Sequence, residues 1–271
     1  MDPVDPRERF AGAASGYARF RPSYPAPLVD WVCTEARLRP GDRVADVGCG
    51  TGILTRLLVE RELAVVGVDP NEDMLAEARG AGGPASYCRG EAAATGLGEA
   101  SVALVTVAQA FHWFDADAAL GEFSRILRPG GHVAAIWNLR AESPFMAAYD
   151  EVLRRFSRDY GVVESWEKTL ERLRAHPLVV DARDREFPNA QRFDFEGLHG
   201  RSWSSSYIFR GSRTAPASTR RCGSYSTPTL AKAPSCSPTA RWGSCSASRG
   251  PRAARRRSVR SLRRSGGHRA G

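Results

Sequence analysis

Residues Val44–Gly52 read VADVGCGTG, an apolar strand that runs into a glycine-rich turn, and a helix is predicted to begin at Ile53. Glycines suit this turn because a Cβ would collide with a bound ligand and because the turn needs unusual backbone angles. A strand, a glycine turn and a helix in this order bring backbone atoms close to a nucleoside cofactor. The stretch therefore predicts a nucleoside-binding loop.

The spacing of the glycines narrows the choice of cofactor. Gly48, Gly50 and Gly52 form GxGxG, whereas a dinucleotide fingerprint would place a small residue where Ile53 stands. Asp46 lies two residues before the first glycine, at the end of the strand. A carboxylate there would repel a pyrophosphate but suits the α-ammonium of an amino-acid cofactor.

Strands and helices alternate around this loop. Apolar runs predict strands at Arg43–Val47, Ala64–Val68, Ala85–Cys88, Val102–Val107 and His132–Trp137. Helical patterns are predicted at 28–37, 53–60, 72–78, 116–127, 145–160 and 166–175, with a turn at 128–131 and a last strand at 186–195. This rhythm is typical of an α/β fold, a Rossmann-like, doubly wound and mainly parallel sheet with helices on both faces. Ligands of such sheets bind at the carboxyl ends of the strands.

Composition favours a cytoplasmic protein. The 271 residues contain no long apolar run, and the polar start MDPVDPRERF does not resemble a secretory signal. The six cysteines lack CxxC spacing, so we expect reduced thiols, no disulfide framework and no metal site.

Charge divides the chain into two unequal parts. All 30 acidic residues lie within residues 1–200, while residues 201–271 carry 16 of the 39 Lys and Arg. After Ile208 the hydrophobic periodicity ends and Ser, Arg, Pro, Thr and Gly dominate. We therefore predict one domain over residues 1–208, with a cofactor-binding core at about 43–137. Residues 209–271 are predicted to be a basic, low-complexity and disordered tail.

Six segments carry a family resemblance, namely YARFRPSYP (17–25), VADVGCGTG (44–52), VVGVDPNEDML (65–75), RGEAAATGL (89–97), AQAFHWFD (108–115) and RILRPGGHVAAIW (125–137). Together they resemble the class I S-adenosylmethionine-dependent methyltransferases, with a methyltransferase type 11 domain. Two of them, AQAFHWFD and YARFRPSYP, resemble the small-molecule branch that includes trans-aconitate methyltransferase-like proteins. The resemblance implies S-adenosyl-L-methionine as the cofactor and a small-molecule substrate. The composition and the absence of zinc-spaced or nucleic-acid-methylating motifs argue against a membrane, metal or nucleic-acid partner.

The resemblance also implies roles for individual residues. Asp69 would accept both ribose hydroxyls, although it could instead be an acid at a helix start. Asp46 would meet the methionine ammonium or else only cap the strand end. The remaining cofactor-binding candidates are Gly48, Gly50, Gly52, Glu91 and Ala92 at the adenine, and Ala108 and Gln109 in the cleft.

The candidate acceptor side is aromatic and basic. His112 could transfer a proton in catalysis or only form a wall of the substrate site. Trp113 and Phe114 could stabilise the sulfonium through their ring faces or belong to the core. The lid candidates are Tyr17, Arg21 and Tyr24, and Arg21 could pair with a substrate carboxylate or lie on the surface.

The expected function is methyl transfer to a small molecule by in-line displacement. The alternatives are an inactive or binding-only remnant of such an enzyme, and a nucleic-acid-binding protein that acts through its basic tail.

The tail itself has two interpretations. Read at face value, it is a disordered basic segment. We favour a reading-frame shift near residues 207–213, because plausible GC-rich codons for residues 226–238 give a helix end, a turn and a strand start in another frame. The family that the chain resembles closes its sheet with a final antiparallel strand. Because a frame shift would replace the segment that forms this strand, we expect the final strand to be missing.

Overall fold

One seven-stranded sheet organises the chain in this computed structural model, which describes residues 19–140, 142–156, 166–203 and 239–246. In chain order the strands are β1 Arg43–Val47, β2 Ala64–Asp69, β3 Ser86–Arg89, β4 Val102–Ala108, β5 Leu127–Asn138, β6 Val180–Pro188 and β7 Thr239–Ser246. They lie in the order β3-β2-β1-β4-β5-β7-β6. Strands β1 to β5 pair in parallel, which confirms the mainly parallel sheet.

Seven helices accompany the sheet in the described part of the chain. They are α1 Ala26–Glu35, α2 Ile53–Val59, α3 Glu72–Gly80, α4 Ala116–Ile126, α5 Pro144–Phe156, α6 Trp166–Ala175 and α7 Phe195–Trp203. Apolar residues of α1 and α2 pack with Val44 into one core, and those of α4 and α6 pack with Ala45 into another. Because neighbouring strand residues face opposite sides, these two cores cover the two faces of the sheet. The prediction of helices on both faces is confirmed.

The predicted turn at residues 128–131 lies inside β5. Leu127 pairs with Val102 and His132 pairs with Leu104, so the four residues between them bulge opposite Ala103. Gly130 takes a positive φ of 76° within this bulge. Helix α4 ends at Ile126 and β5 begins at Leu127, so the bulge lies just after the start of β5.

The expectation that the final antiparallel strand is missing is wrong. Strand β7, from the basic segment, lies between β5 and β6 and pairs antiparallel with both. Backbone groups make the ladder bonds, and residues 239–246 contain no proline that would remove a donor. A segment without apolar periodicity can therefore still complete the sheet. The disorder predicted for the rest of the tail and the predicted frame shift concern residues outside the described ranges and stay predictions.

The strand predicted at 186–195 is also shifted. Strand β6 spans Val180–Pro188, and helix α7 already begins at Phe195. Only Phe187 of β6 is buried, because β6 is the outermost strand. An exposed edge strand needs no alternation of apolar residues, so the polar sequence of β6 carries no pattern that predicts a strand. No helix among the described residues is long and apolar enough to cross a membrane.

Candidate functional site

A cleft of about 580 Å³ opens at the carboxyl edge of the sheet, where the loops after β1, β2 and β4 meet. Six of the predicted site residues line it, namely Gly48, Gly50, Asp69, Ala108, Gln109 and Trp113. The cleft also includes Phe114, which the sequence singled out with Trp113, and four residues that the sequence did not single out for binding, namely Pro70, Asn71, Met74 and Ala110. Each of these residues follows the end of a strand directly or within a few residues, and this position in the sequence could have identified them as cleft residues.

Asp69 is held in one orientation at the floor of the cleft. Its Oδ2 accepts a hydrogen bond from the backbone N–H of Gly50 at 2.8 Å, and its Oδ1 accepts one from the N–H of Asn71 at 2.9 Å. Burial raises the pKa of this carboxyl group, and the two N–H donors oppose that rise. Each carboxylate oxygen keeps further acceptor capacity, so a pair of ligand hydroxyls can still bind.

The glycine turn is shaped by its neighbours. The N–H groups of Gly48 and Cys49 both donate to the carbonyl oxygen of Val68, which ties the turn to β2. Gly48 has a φ of +71°, and a Cβ there would lie 2.6 Å from the Cβ of Ala110. Gly50 has a φ of +53°, but a Cβ there would meet nothing within 4 Å. Gly48 is therefore required by close packing, and Gly50 leaves space in front of Asp69.

Gly52 has a packing role in this structure. It precedes α2 with a φ of +74°, and a Cβ there would lie 2.6 Å from the hydroxyl oxygen of Tyr87. The residue does not line the cleft, so its small size serves the contact between α2 and β3.

Asp46 lies beneath the cleft and does not line it. The hydroxyl of Thr55 donates to its Oδ2 at 2.6 Å, and that of Thr106 donates to its Oδ1 at 2.9 Å. Burial raises the pKa of Asp46 to about 6, although the two hydroxyl donors lower it. In this structure the carboxyl group links β1 to α2 and β4, and its predicted contact with an ammonium stays a prediction.

Gln109 combines backbone strain with an unused donor. Its φ of +58° is uncommon for a residue with a side chain, and its N–H donates to the carbonyl oxygen of Ile136 at 2.8 Å. Its amide nitrogen Nε2 is buried and has no hydrogen-bond partner within the described part of the chain. This donor beside the cleft is available for a hydrogen bond to a ligand group.

The other predicted site residues lie outside the cleft. Glu91 is exposed, and Ala92 is half-buried against the core. His112 is half-buried in the short 3₁₀ turn Phe111–Trp113, with its ring centroid 4.7 Å from that of Trp113. Tyr24 is buried in the core against α1, so it forms no part of the cleft wall.

Two lid candidates remain. Arg21 is half-buried and does not line the cleft, whereas Tyr17 lies outside the described residues. No group of three potential metal ligands was found among the described residues.

Comparison with known proteins decides the family. The methyltransferase domain family matches residues 45–135, from β1 to β5. A methyltransferase-like protein of Schizosaccharomyces pombe is 31% identical over 204 residues, which cover 74% of this chain and 78% of that protein. The chain belongs to the methyltransferase family.

Two further matches are a sequence relative and a solved structure. An uncharacterised methyltransferase of Mycobacterium tuberculosis is 45% identical over 133 residues, 49% of this chain and 53% of that protein, so the chain spans about half of its length. A solved structure assigned as a type II methyltransferase, from Anaeromyxobacter dehalogenans, is 28% identical with a TM-score of 0.55. It covers 83% of this chain and 95% of that one.

A third comparison concerns the fold of the methyltransferase alone. Phosphoethanolamine N-methyltransferase 2 of Haemonchus contortus, solved with phosphomonomethylethanolamine and S-adenosylhomocysteine, is 15% identical with a TM-score of 0.53. The match covers 89% of this chain and 59% of that one. It supports the Rossmann-like architecture described above.

Proposed function

We propose that the chain binds S-adenosyl-L-methionine in the cleft beside Asp69 and transfers its methyl group to a small-molecule acceptor. The observation that carries the proposal is the orientation of Asp69, whose two oxygens are fixed by the N–H groups of Gly50 and Asn71. A fixed carboxylate suits two neighbouring hydroxyls of a ribose, because both can donate to it at once.

The other residues of the cleft fit the same cofactor. Asp69 is the single charged residue among the described residues that line it, so the cleft favours a cationic ligand over a pyrophosphate. The open space at Gly50 leaves room for a ribose, and the Nε2 of Gln109 offers a donor to a ligand oxygen. The aromatic rings of Trp113 and Phe114 line the cleft and can attract a sulfonium by cation–π interaction.

The chemistry requires little from the protein beyond placement. When bound, S-adenosylmethionine supplies a methyl group on a positively charged sulfur, which keeps the electron pair as the carbon–sulfur bond breaks. The residues of the cleft orient the donor and exclude water, and such positioning can supply much of the rate. Where the small molecule that receives the methyl group must lose a proton, His112 is the candidate base. It lies in the 3₁₀ turn beside Trp113.

Production of S-adenosylhomocysteine tests this function. The chain is incubated with S-adenosylmethionine and a panel of small carboxylic acids, hydroxyl compounds and amines. We expect acceptor-dependent S-adenosylhomocysteine with wild type and none with Asp69→Ala. If wild type binds the donor but no class of acceptor yields product, the chain is a binding-only remnant instead.

A further inference from the structure

A second cavity of about 670 Å³ lies at the same edge of the sheet, beyond the end of β5. It is bounded by residues of α5 and α7 and by the segments that follow β5 and β6. No residue lines both this cavity and the cleft beside Asp69. The cavity is therefore a separate feature that the donor site does not use.

The two sites lie at the ends of neighbouring strands. Gln109, which lines the donor cleft, donates its N–H to the carbonyl oxygen of Ile136 on β5. Asn138, two residues further along β5, lines the second cavity. Adjacent strands are about 4.8 Å apart, so a molecule in the second cavity can extend towards one in the cleft.

The walls of the cavity are apolar and firmly placed. The rings of Phe145 and Tyr149 on α5 stack with centroids 6.2 Å apart and planes 6° from parallel. The hydroxyl oxygen of Tyr149 lies 2.8 Å from that of Ser202, a hydrogen bond that joins α5 to α7. Leu139, Phe193 and Leu198 complete the apolar wall. Such a surface favours a ligand with an apolar body.

The charged side chains that line the cavity are cations. Arg140 and Arg201 line it, and no Asp or Glu is among the described lining residues. The guanidinium of Arg140 pairs with Asp150 and lies over the Tyr149 ring, 5.4 Å from its centroid. These contacts place one cation rigidly at the cavity wall.

Asn138 adds a donor that the described part of the chain leaves unused. Its Oδ1 accepts a hydrogen bond from the Nδ2 of Asn189 at 3.0 Å, which fixes the orientation of the amide. Its own Nδ2 is buried and has no partner among the described residues. A buried donor in a cavity that is also lined by two arginines favours an anionic oxygen as its ligand.

We infer that this cavity binds the methyl acceptor and that the acceptor is a small molecule with an apolar body and an anionic group, such as a carboxylate. The inference rests on the proposed function, because it assigns the partner of the donor site. The apolar body lies against the Phe145 and Tyr149 rings, and the anionic group meets Asn138 and the two arginines.

The methionines of the chain provide a direct test. The chain contains three, Met1, Met74 and Met146, of which Met74 lines the donor cleft and Met146 lines the second cavity. The full chain is labelled with ¹³C in the methionine methyl groups, and the signals are assigned with Met74→Leu and Met146→Leu. The probes are octanoate and, as controls of equal chain length, octan-1-ol and octylamine.

We expect octanoate to shift the Met146 signal in a saturable manner, with octan-1-ol binding more weakly and octylamine giving no shift. Arg201→Gln should weaken octanoate binding by about tenfold, the loss of one charge-assisted hydrogen bond. Arg172→Gln, an exposed arginine on α6, should leave it unchanged.

The inference is overturned if octanoate leaves the Met146 signal in place, if octylamine shifts it equally, or if Arg201→Gln binds octanoate as wild type does. S-adenosylhomocysteine is titrated in parallel and should shift the Met74 signal. A response at Met146 with none at Met74 would contradict the donor site while supporting the anion-binding cavity, so the two failures are distinguishable.

Discussion

The carboxylate of Asp69, at the end of β2, accepts the backbone N–H of Gly50, in the turn after β1, at 2.8 Å. This bond joins the two loops that form the floor of the donor cleft. A change to either residue therefore alters the shape of the site as well as its charge.

Gly48→Ala is expected to destabilise the fold. The new Cβ would lie 2.6 Å from that of Ala110, and φ is +71°. We expect the free energy of unfolding to fall by about 2–4 kcal/mol, the sum of overpacking and a strained backbone. Urea denaturation measures it. Gly82→Ala is the matched control, because φ is +75° there but a Cβ meets nothing within 4 Å. Equal losses in the two variants would contradict the packing role of Gly48.

Asp46 should make stability depend on pH. Its pKa in the fold is about 6, above the usual 3.8, because burial disfavours its charge. The folded state therefore binds the proton more tightly, and protonation stabilises the fold. This stabilisation is complete below pH 3.8 and is lost as pH rises through about 6.

The comparison with Asp46→Asn isolates this effect. Relative to the variant, wild type should gain up to about 3 kcal/mol of unfolding free energy between pH 7 and pH 4. Denaturant titrations at several pH values, without ligand, measure the difference. A difference between the two proteins that stays constant with pH would contradict the raised pKa.

The strained backbone of Gln109 should lower the stability of the fold, whereas its side-chain amide should strengthen ligand binding. Glycine tolerates its φ of +58° whereas alanine does not, so we expect Gln109→Gly to be more stable than Gln109→Ala by about 1 kcal/mol. Both variants lack the buried Nε2 donor and should weaken S-adenosylhomocysteine binding to a similar extent. Thermal unfolding and calorimetry measure the two effects. Wild-type affinity in both variants would show that the amide does not contact the ligand.

Strand β7 should stabilise the sheet. Removal of residues 239–271 takes away the pairing partner of both β5 and β6, whereas removal of 247–271 leaves β7 in place. We expect the shorter chain to lose several kcal/mol of unfolding free energy and to aggregate through its open edge. Urea denaturation and light scattering compare the two chains. Equal stability would show that β7 contributes nothing to the fold.

Local sequence patterns predicted the parts of the fold that depend on local chemistry. Strand β1 was placed at its observed bounds. Asn71, a residue type that favours the position before a helix, caps α3 by accepting a hydrogen bond from the N–H of Met74. Asp69 and the glycine turn lie together at the cleft because the carboxyl ends of parallel strands meet at one edge of the sheet.

The remaining features depend on contacts between distant segments. The hydroxyls of Thr55 and Thr106 enclose Asp46, and only the packed structure brings these two residues together. The second cavity forms between α5 and α7, and its unused donor on Asn138 depends on the orientation set by Asn189. Strand β7 pairs through backbone groups, which leave no signature in the side-chain pattern.

Binding of S-adenosylmethionine, measured by isothermal titration calorimetry, tests the central claim most directly. We expect wild type and Asp30→Asn, a control at an exposed carboxylate paired with Arg61, to bind with equal affinity. Asp69→Asn should bind at least about 30-fold more weakly, since it loses the charged acceptor of two hydroxyls. No binding by wild type, or equal binding by Asp69→Asn, would contradict the account.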